Sequence, residues 1–190
     1  LIDFSELEMP RARWLDDETL VALISDRGGS RPYRFPVDGP PEPLLDDPEI
    51  VCAGLAVGGG RVMVVAAEPG SAGELCEDGG LRPLTRHGSR WLAPHRIEPE
   101  HVSVRRRGHP AIDAWLVPAR GRRRRAPLVL KIHGGPHSAY GPVPFTETLA
   151  LAHAGFHVLY TNPQGSVGYG EEFARALSGR WGEVDSPEQL

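Results

Sequence analysis

Cysteine is scarce in this chain, with two among 190 residues, Cys52 and Cys76. Two cysteines are too few for a disulfide framework, and their spacing does not match a metal-ligand set, so we expect two buried free thiols and no metal. Apolar runs of 18 or more residues are missing, which argues against a membrane partner. The N-terminus has neither the basic segment nor the apolar run of a signal peptide. These features favour a cytoplasmic protein.

Lysine is almost missing, since 20 of the 21 basic residues are arginine and Lys131 is the exception. Acidic residues number 25, and the net charge is −4. A nucleic-acid surface needs clustered positive charge with aromatic side chains among it. Aromatic residues make up only 7%, and the arginine runs 105–107 and 122–125 fall in predicted turns. We therefore expect solvated loops there and no nucleic-acid partner.

Glycine and proline, by contrast, are abundant, at 23 and 19 residues. They divide residues 11–85 into short strands, and the pattern repeats: the apolar strand 20–24 has a counterpart at 62–65, about 42 residues later, each followed by a glycine-containing turn. Short strands with a period of about 40–45 residues are typical of β-propeller blades. We predict that residues 1–85 are the C-terminal blades of a propeller. A single antiparallel meander is the alternative.

The pattern changes after a predicted linker at 86–100. A hairpin is expected first, then strands and helices in alternation, which is typical of a parallel sheet with crossover helices. The strand predicted at 128–132 is almost continuously apolar, so we expect it to be covered on both faces. The predicted elements are strands at 101–104, 112–117, 128–132 and 156–160, a helix around Phe145, Leu149 and Ala152 that ends before Gly155, and a helix at 171–178.

Directly after the apolar strand comes His133, Gly134, Gly135 and Pro136. In α/β hydrolases a glycine loop at this position supplies a backbone N–H to the oxyanion hole, because glycine lets the main chain approach the substrate carbonyl. A tight strand-to-helix turn is the structural alternative. The position after a strand favours the oxyanion interpretation.

A second glycine-rich loop follows the next strand, at the edge of the sheet where open α/β sheets place their sites. Ser166 is not expected to be a nucleophile, because the elbow motif needs glycine two residues before the serine and Gln164 stands there. No phosphate-loop motif is present, so we expect no nucleotide cofactor, and no cofactor of any other kind. The residues expected to border the active site are Asn162, Pro163, Gln164, Gly165, Ser166, Gly168 and Tyr169.

Together, H-G-G-P-H, N-P-Q-G-S-V-G-Y-G-E-E-F and G-R-W-G-E-V-D resemble the start of the catalytic domain of the prolyl oligopeptidase family, in its acylaminoacyl peptidase branch. W-L-D-D-E and S-D-R-G-G, earlier in the chain, resemble the end of that family's propeller. The resemblance implies propeller blades followed by the N-terminal part of an α/β hydrolase domain at 101–190. It also implies that Gly135 donates its N–H to the oxyanion, with His133, Gly134 and Pro136 shaping the loop.

The implied activity is a serine peptidase that hydrolyses short peptides or acyl-amino acids through an acyl-enzyme. No G-x-S-x-G occurs in the chain, so we expect the Ser, Asp and His triad to lie beyond it, no catalytic residue within it, and no activity from this segment alone. Gln164 replaces the arginine that is common in the family. Residues 186–189 resemble the opening of a capped helix without a body, and we expect a segment of a longer protein.

Two other functions stay open at this point. An esterase of the same fold would act on small acyl esters, and a truncated propeller with part of a sheet could serve only as an interaction module. Blade-like repeats favour the peptidase, because esterases of this class usually begin with a short cap. The partner expected for the complete enzyme is a short peptide or acyl-peptide, and a homo-oligomer is possible.

Overall fold

The first half of the chain forms two four-stranded antiparallel sheets in the computed structural model, which describes residues 12–77, 79, 82–121, 125–135, 137–143 and 145–189. In each sheet the strands pair in chain order. The two sheets are separate, so the single-meander alternative is wrong. The first contains β1 (Arg13–Trp14), β2 (Thr19–Asp26), β3 (Gly29–Pro36) and β4 (Glu42–Pro43); the second contains β5 (Val51–Gly58), β6 (Arg61–Glu68), β7 (Ser71–Glu77) and β8 (Arg82–Pro83).

Tight turns set the register of these sheets. Asp26 pairs with Gly29 across β2 and β3, and the two residues between them, Arg27 and Gly28, have φ of 44° and 74°. Positive φ at both central residues is the type I′ turn, whose twist matches that of the flanking strands. Alternate side chains of β2, such as Val21 at 0% and Leu23 at 4% exposure, then face the core.

The second half contains a mixed sheet. Its elements are β9 (Glu100–Val104), β10 (Ile112–Val117), β11 (Leu128–Lys131), α2 (Thr146–His153) and β12 (His157–Asn162). The strand order is β11-β12-β10-β9, and only β11 and β12 are parallel. The predicted parallel sheet is therefore found for a single strand pair, since the hairpin of β9 and β10 joins β12 in antiparallel fashion. Helix α2 makes the crossover between the parallel strands.

The expectation that strand 128–132 is covered on both faces is wrong. The strand ends at Lys131, and Leu128 and Ile132 are 57% and 61% exposed. The physical reason is position: β11 is at one edge of the sheet and has a hydrogen-bonded neighbour only on the β12 side among the described residues.

The stretch expected to be a linker, 86–100, contains a helix, α1 (His87–Leu92), and a 3₁₀ turn at Ala93–His95. Glu74 of β7 holds the start of α1, because its carboxylate accepts hydrogen bonds from the backbone N–H groups of His87 (2.9 Å) and Ser89 (2.8 Å). Leu92 is completely buried. This segment is docked on the second sheet, and the division of the chain into domains stays a prediction.

Two short helices complete the chain. Helix α3 spans Glu171–Arg175, shorter than the predicted 171–178, and a turn continues to Gly179, whose φ is 69°. Helix α4 spans Asp185–Gln189, so Ser186 lies inside it and is not its cap. No helix within the described ranges is long and apolar enough to span a membrane.

One core joins the two halves. Val51 and Ala67 of the second sheet pack in a single buried cluster with Trp115, Tyr140 and Tyr160 from the mixed sheet and its loops. A second cluster fills the space between the two antiparallel sheets. Cys52 lies in that second cluster as a buried free thiol, as does Cys76, which confirms that prediction. Burial raises the pKa of the Cys52 thiol to about 12, since the thiolate would lose its hydration.

Candidate functional site

The glycine loop predicted to form an oxyanion hole begins at the carboxyl end of β11. Gly134 and Gly135 are both exposed, and nothing lies within 4 Å of the space where a Cβ on Gly134 would stand. Gly135 has φ of 138°, and a Cβ there would lie 2.7 Å from the backbone nitrogen of His137. Two features therefore require glycine at position 135: the positive φ of its backbone and the close approach of the His137 backbone nitrogen. Pro136 lies outside the described residues.

His133 holds this loop in place through contacts of its imidazole ring. Its Nε2 lies 3.0 Å from Ser166 Oγ and its Nδ1 lies 3.0 Å from the carbonyl oxygen of Gly134, while the ring meets Tyr140 edge to face. Burial lowers the pKa of His133, although the Gly134 carbonyl opposes this by favouring the charged ring. The imidazole is accordingly neutral at neutral pH and carries a single N–H, assigned to Nε2, which donates to Ser166 Oγ and so connects the two predicted loops.

Ser166 is completely buried, and its hydroxyl donates to the carbonyl oxygen of Pro163 at 2.7 Å. With its hydrogen committed to Pro163, the hydroxyl can only accept from His133 Nε2. A nucleophilic serine needs the opposite arrangement, with the hydroxyl hydrogen directed at the imidazole and an exposed oxygen. The geometry agrees with the interpretation that Ser166 is a structural residue.

Asn162, at the carboxyl end of β12, ties the two loops together a second time. Its side chain is completely buried; Oδ1 accepts from the Tyr140 N–H, and Nδ2 donates to the Tyr140 carbonyl, both at 2.8 Å. The same Nδ2 lies 2.9 Å from the hydroxyl of Tyr169, and that hydroxyl donates to Asp113 at 2.9 Å. Every polar atom of the amide is thus used to hold the loops at one edge of the sheet.

The remaining residues of the second loop pack against neighbouring elements. A Cβ on Gly165 would lie 2.6 Å from Leu177, and one on Gly168 would lie 2.9 Å from the backbone nitrogen of Arg27. The Gly168 carbonyl accepts a hydrogen bond from that nitrogen at 3.0 Å. Because these residues lack a Cβ, the loop packs directly against the turn that follows α3 and against the β2–β3 turn.

Gln164 contributes its backbone to the site's framework. Its N–H donates to Glu188 Oε2 at 2.7 Å, and the other oxygen of this buried carboxylate lies 3.3 Å from His109 Nδ1. Glu188 therefore connects the loop with the turn between β9 and β10. No local motif indicates this role, because the partners of Glu188 are 24 and 79 positions away in the chain.

Three framework residues, Asp113, Tyr140 and Glu188, were not predicted. Asp113 carries a usable signal, as an acid within an otherwise apolar strand, whereas Tyr140 and Glu188 act through contacts that no local pattern reveals. Two other histidines make contacts with backbone groups: His157 accepts from the Ala119 N–H at 3.1 Å, and His153 Nε2 lies 3.2 Å from the His95 carbonyl oxygen. The part of the chain that the structure describes contains no group of three acidic, histidine or cysteine residues suited to a metal ion.

Comparisons with known proteins show which proteins the chain is similar to. Residues 143–190 match the model of the prolyl oligopeptidase family. The uncharacterised peptidase YuxL of Bacillus subtilis is 29% identical over 177 residues, which cover 90% of this chain and 27% of that protein. The acylamino-acid-releasing enzyme of Arabidopsis thaliana is 43% identical over 65 residues, 34% of this chain and 8% of that protein.

Solved structures agree on the fold. The acylaminoacyl peptidase of Pyrococcus horikoshii superposes with a TM-score of 0.80 at 24% identity, over 94% of this chain and 29% of that one. The matched regions thus span less than a third of the length of each of these longer proteins. The resemblance to the prolyl oligopeptidase family is confirmed over residues 143–190, a stretch that contains the second glycine-rich loop.

Proposed function

We propose that this chain provides the oxyanion loop and the neighbouring wall of a serine peptidase that hydrolyses short peptides or acyl-amino acids. The observation that carries this proposal is the arrangement at the ends of β11 and β12. Buried hydrogen bonds of His133 and Asn162 hold the two loops together, and Gly134 and Gly135 are left exposed beside them. A preorganised, exposed glycine main chain next to a rigid wall is what oxyanion stabilisation requires.

In the proposed mechanism, the backbone N–H of Gly135 donates to the carbonyl oxygen of the scissile bond. When the nucleophile attacks, that oxygen gains negative charge, and the hydrogen bond strengthens because the N–H is already in place. Loss of one such donor typically lowers kcat by about 10²- to 10³-fold. Residues 162–169 border the substrate on the neighbouring strand, and the neutral ring of His133 keeps the glycine loop from collapsing onto them.

The nucleophile is proposed to come from outside these 190 residues, as are the Asp and His of the triad. The sequence contains no G-x-S-x-G motif, and Ser166, whose hydroxyl lies 3.0 Å from His133 Nε2, is buried with its hydrogen bonded to Pro163. The chain alone therefore forms no acyl-enzyme. A cytoplasmic location and a peptide substrate for the whole enzyme are part of the same proposal.

An esterase of the same fold is the second candidate. The two antiparallel sheets that precede the mixed sheet favour the peptidase, because sheets of this kind in a propeller limit entry to short peptides. A pure interaction module would not require glycine at position 135, an exposed residue where a Cβ would lie 2.7 Å from the His137 backbone nitrogen.

The test uses the full-length protein that carries this chain. Gly135→Ala is expected to lower kcat for an N-acetyl-amino-acid p-nitroanilide by about 10²-fold or more, since the loop must shift. Gly59→Ala is the matched control, because Gly59 also has positive φ (58°) but lies in an open hairpin turn. Equal activity of both variants would overturn the oxyanion assignment, and preference for a p-nitrophenyl ester without anilide cleavage would establish the esterase.

A further inference from the structure

Lys131 lies at the carboxyl end of β11, two residues before His133, and is the only lysine in the chain. Its side chain is 16% exposed, so the ammonium group is largely removed from water. An ammonium group in this position needs partners that replace its lost hydration. The partners that the structure gives it are one carboxylate and two aromatic rings.

Glu147, in the first turn of α2, is the charged partner. One of its carboxylate oxygens lies 2.8 Å from Lys131 Nζ, but the side chain of Glu147 is 67% exposed. Water competes for an exposed carboxylate and screens its charge, so an ion pair of this kind contributes little to a fixed geometry. The aromatic contacts are therefore the stronger constraint on the ammonium group.

The two rings belong to Tyr140 and Phe145. Nζ of Lys131 lies 5.3 Å from the centroid of the Tyr140 ring and 4.8 Å from that of Phe145. Both distances are within the range of a cation–π contact, which strengthens where the cation is desolvated. The two rings are 3% and 7% exposed and meet edge to face. Lys131 thus binds two buried rings in one arrangement.

The Tyr140 ring also contacts the imidazole of His133, with the ring centroids 5.2 Å apart and the planes at 77°. Orientation matters in such a pair, because the positive edge of one ring meets the negative face of the other. Asn162 holds the backbone of Tyr140 but makes no printed bond to its ring. The direction of the ring, and with it the position of His133, depends on Lys131 and the neighbouring aromatic side chains.

We propose that Lys131 is a positioning residue for the glycine loop. It acts through the Tyr140 ring on His133, and His133 in turn holds Gly134 and Gly135. This inference rests on the proposed function, since the loop that Lys131 positions is the proposed oxyanion loop. Hydrogen bonds to an oxyanion strengthen only as charge develops, so loss of this positioning lowers kcat and leaves KM almost unchanged.

The kinetic test uses the full-length protein and an N-acetyl-amino-acid p-nitroanilide. Lys131→Met keeps the length of the side chain without its charge, and is expected to lower kcat about tenfold with KM within about twofold of the wild-type value. Lys131→Arg keeps a cation that stacks on aromatic rings, and is expected to stay within about threefold of the wild-type kcat. Glu147→Gln, which removes only the exposed ion pair, is expected to change kcat less than about twofold.

Three kinetic results would overturn the inference. The first is an equal loss in Lys131→Met and Lys131→Arg, since the charge would then have no role. The second is an equal loss in Glu147→Gln, which would assign the effect to the ion pair. The third is a normal kcat in Lys131→Met while Gly135→Ala loses activity; this result would leave the proposed function standing without the role of Lys131.

Hydrogen–deuterium exchange read by mass spectrometry tests the same inference without activity. The reporter is the backbone N–H of Tyr140, which donates to Asn162 Oδ1 at 2.8 Å. In Lys131→Met the peptide that contains Tyr140 is expected to exchange at least about fivefold faster, because the ring no longer anchors the segment. Arg175→Met, which removes an exposed ion pair with Glu171, is the matched control and is expected to exchange at the wild-type rate.

Unchanged exchange in Lys131→Met would overturn the inference whatever the kinetics show. A full-length protein that cleaves neither the anilide nor a p-nitrophenyl ester would refute the proposed function instead. The exchange rates would then still decide whether Lys131 holds the segment around Tyr140.

Discussion

The hydroxyl of Ser166 is used on both sides, by the carbonyl of Pro163 and by the imidazole of His133. This arrangement explains why a serine follows the glycine at this point although it has no access to substrate. A serine next to a histidine is often regarded as a candidate nucleophile. Here Ser166 is buried and its hydroxyl hydrogen points away from the imidazole, so its role is to hold the glycine loop through His133.

Ser166→Ala is expected to lower the free energy of unfolding by about 1–3 kcal/mol, because the buried carbonyl of Pro163 and His133 Nε2 each lose a partner. Urea denaturation of the chain followed by circular dichroism measures the change. Ser178→Ala, on an exposed residue, is the control and is expected to shift stability by less than about 0.5 kcal/mol. Equal stability of the two variants would show that the contact with His133 does not hold the loop.

Helix α1 has six residues and no side-chain cap of its own, so its stability depends on the strand beneath it. Glu74 of β7 supplies the missing acceptor for the helix start. Burial alone would raise the pKa of Glu74, but hydrogen bonds from Ser89, Thr85 and His87 outweigh it and lower the pKa to about 2. The carboxylate is therefore needed in its charged form, and it joins α1 to the second sheet.

Acid titration tests this contact. A group with a folded-state pKa below its unfolded value stabilises the fold above the unfolded pKa, near 4.5, and this stability is lost as pH falls toward about 2. Glu74→Gln is expected to flatten the pH dependence of unfolding between about pH 5 and pH 2, while Glu42→Gln keeps the wild-type slope. An unchanged slope in Glu74→Gln would contradict the assignment.

The two halves of the molecule meet where the β2–β3 turn enters between the loops of the mixed sheet. A Cβ on Gly28 would lie 2.5 Å from the Tyr140 carbonyl oxygen and 2.7 Å from the Trp115 ring. A Cβ on Gly141 would lie 2.0 Å from the Gly28 carbonyl oxygen. Backbone packing this close, together with the shared core around Trp115, indicates that the antiparallel sheets and the site-bearing sheet unfold as one unit.

Gly28→Ala tests this unity. We expect a loss of at least about 2 kcal/mol of stability, from positive φ and from the clash with Tyr140. We also expect the single urea transition to broaden or split as the halves separate. Gly60→Ala is the control, because Gly60 has nearly the same φ (72° against 74°) with nothing within 4 Å of the Cβ space. A loss no larger than that of the control would show that the junction tolerates a side chain.

The local sequence pattern was sufficient to predict many of the strands and turns of this protein. Alternating and apolar runs predicted the strands near 20–24, 62–65 and 112–117, because the period of two between buried side chains is a property of the strand itself. Glycine and proline predicted the turns, whereas the functional role of the loops that begin at His133 and Asn162 stays a prediction. These inferences succeed because backbone conformation and side-chain period act over a few residues.

Partners distant in the chain were decided by the folded arrangement. The sequence could not show that β11 lies at an edge and leaves Leu128 exposed, because strand order depends on which distant strands pair. Nor could it show that His133 meets Ser166, that Glu188 supports Gln164, or that Arg31 is buried against Asp26 and the Asp47 carbonyl. Each of these contacts joins separate elements through long-range packing, and no spacing along the chain encodes it.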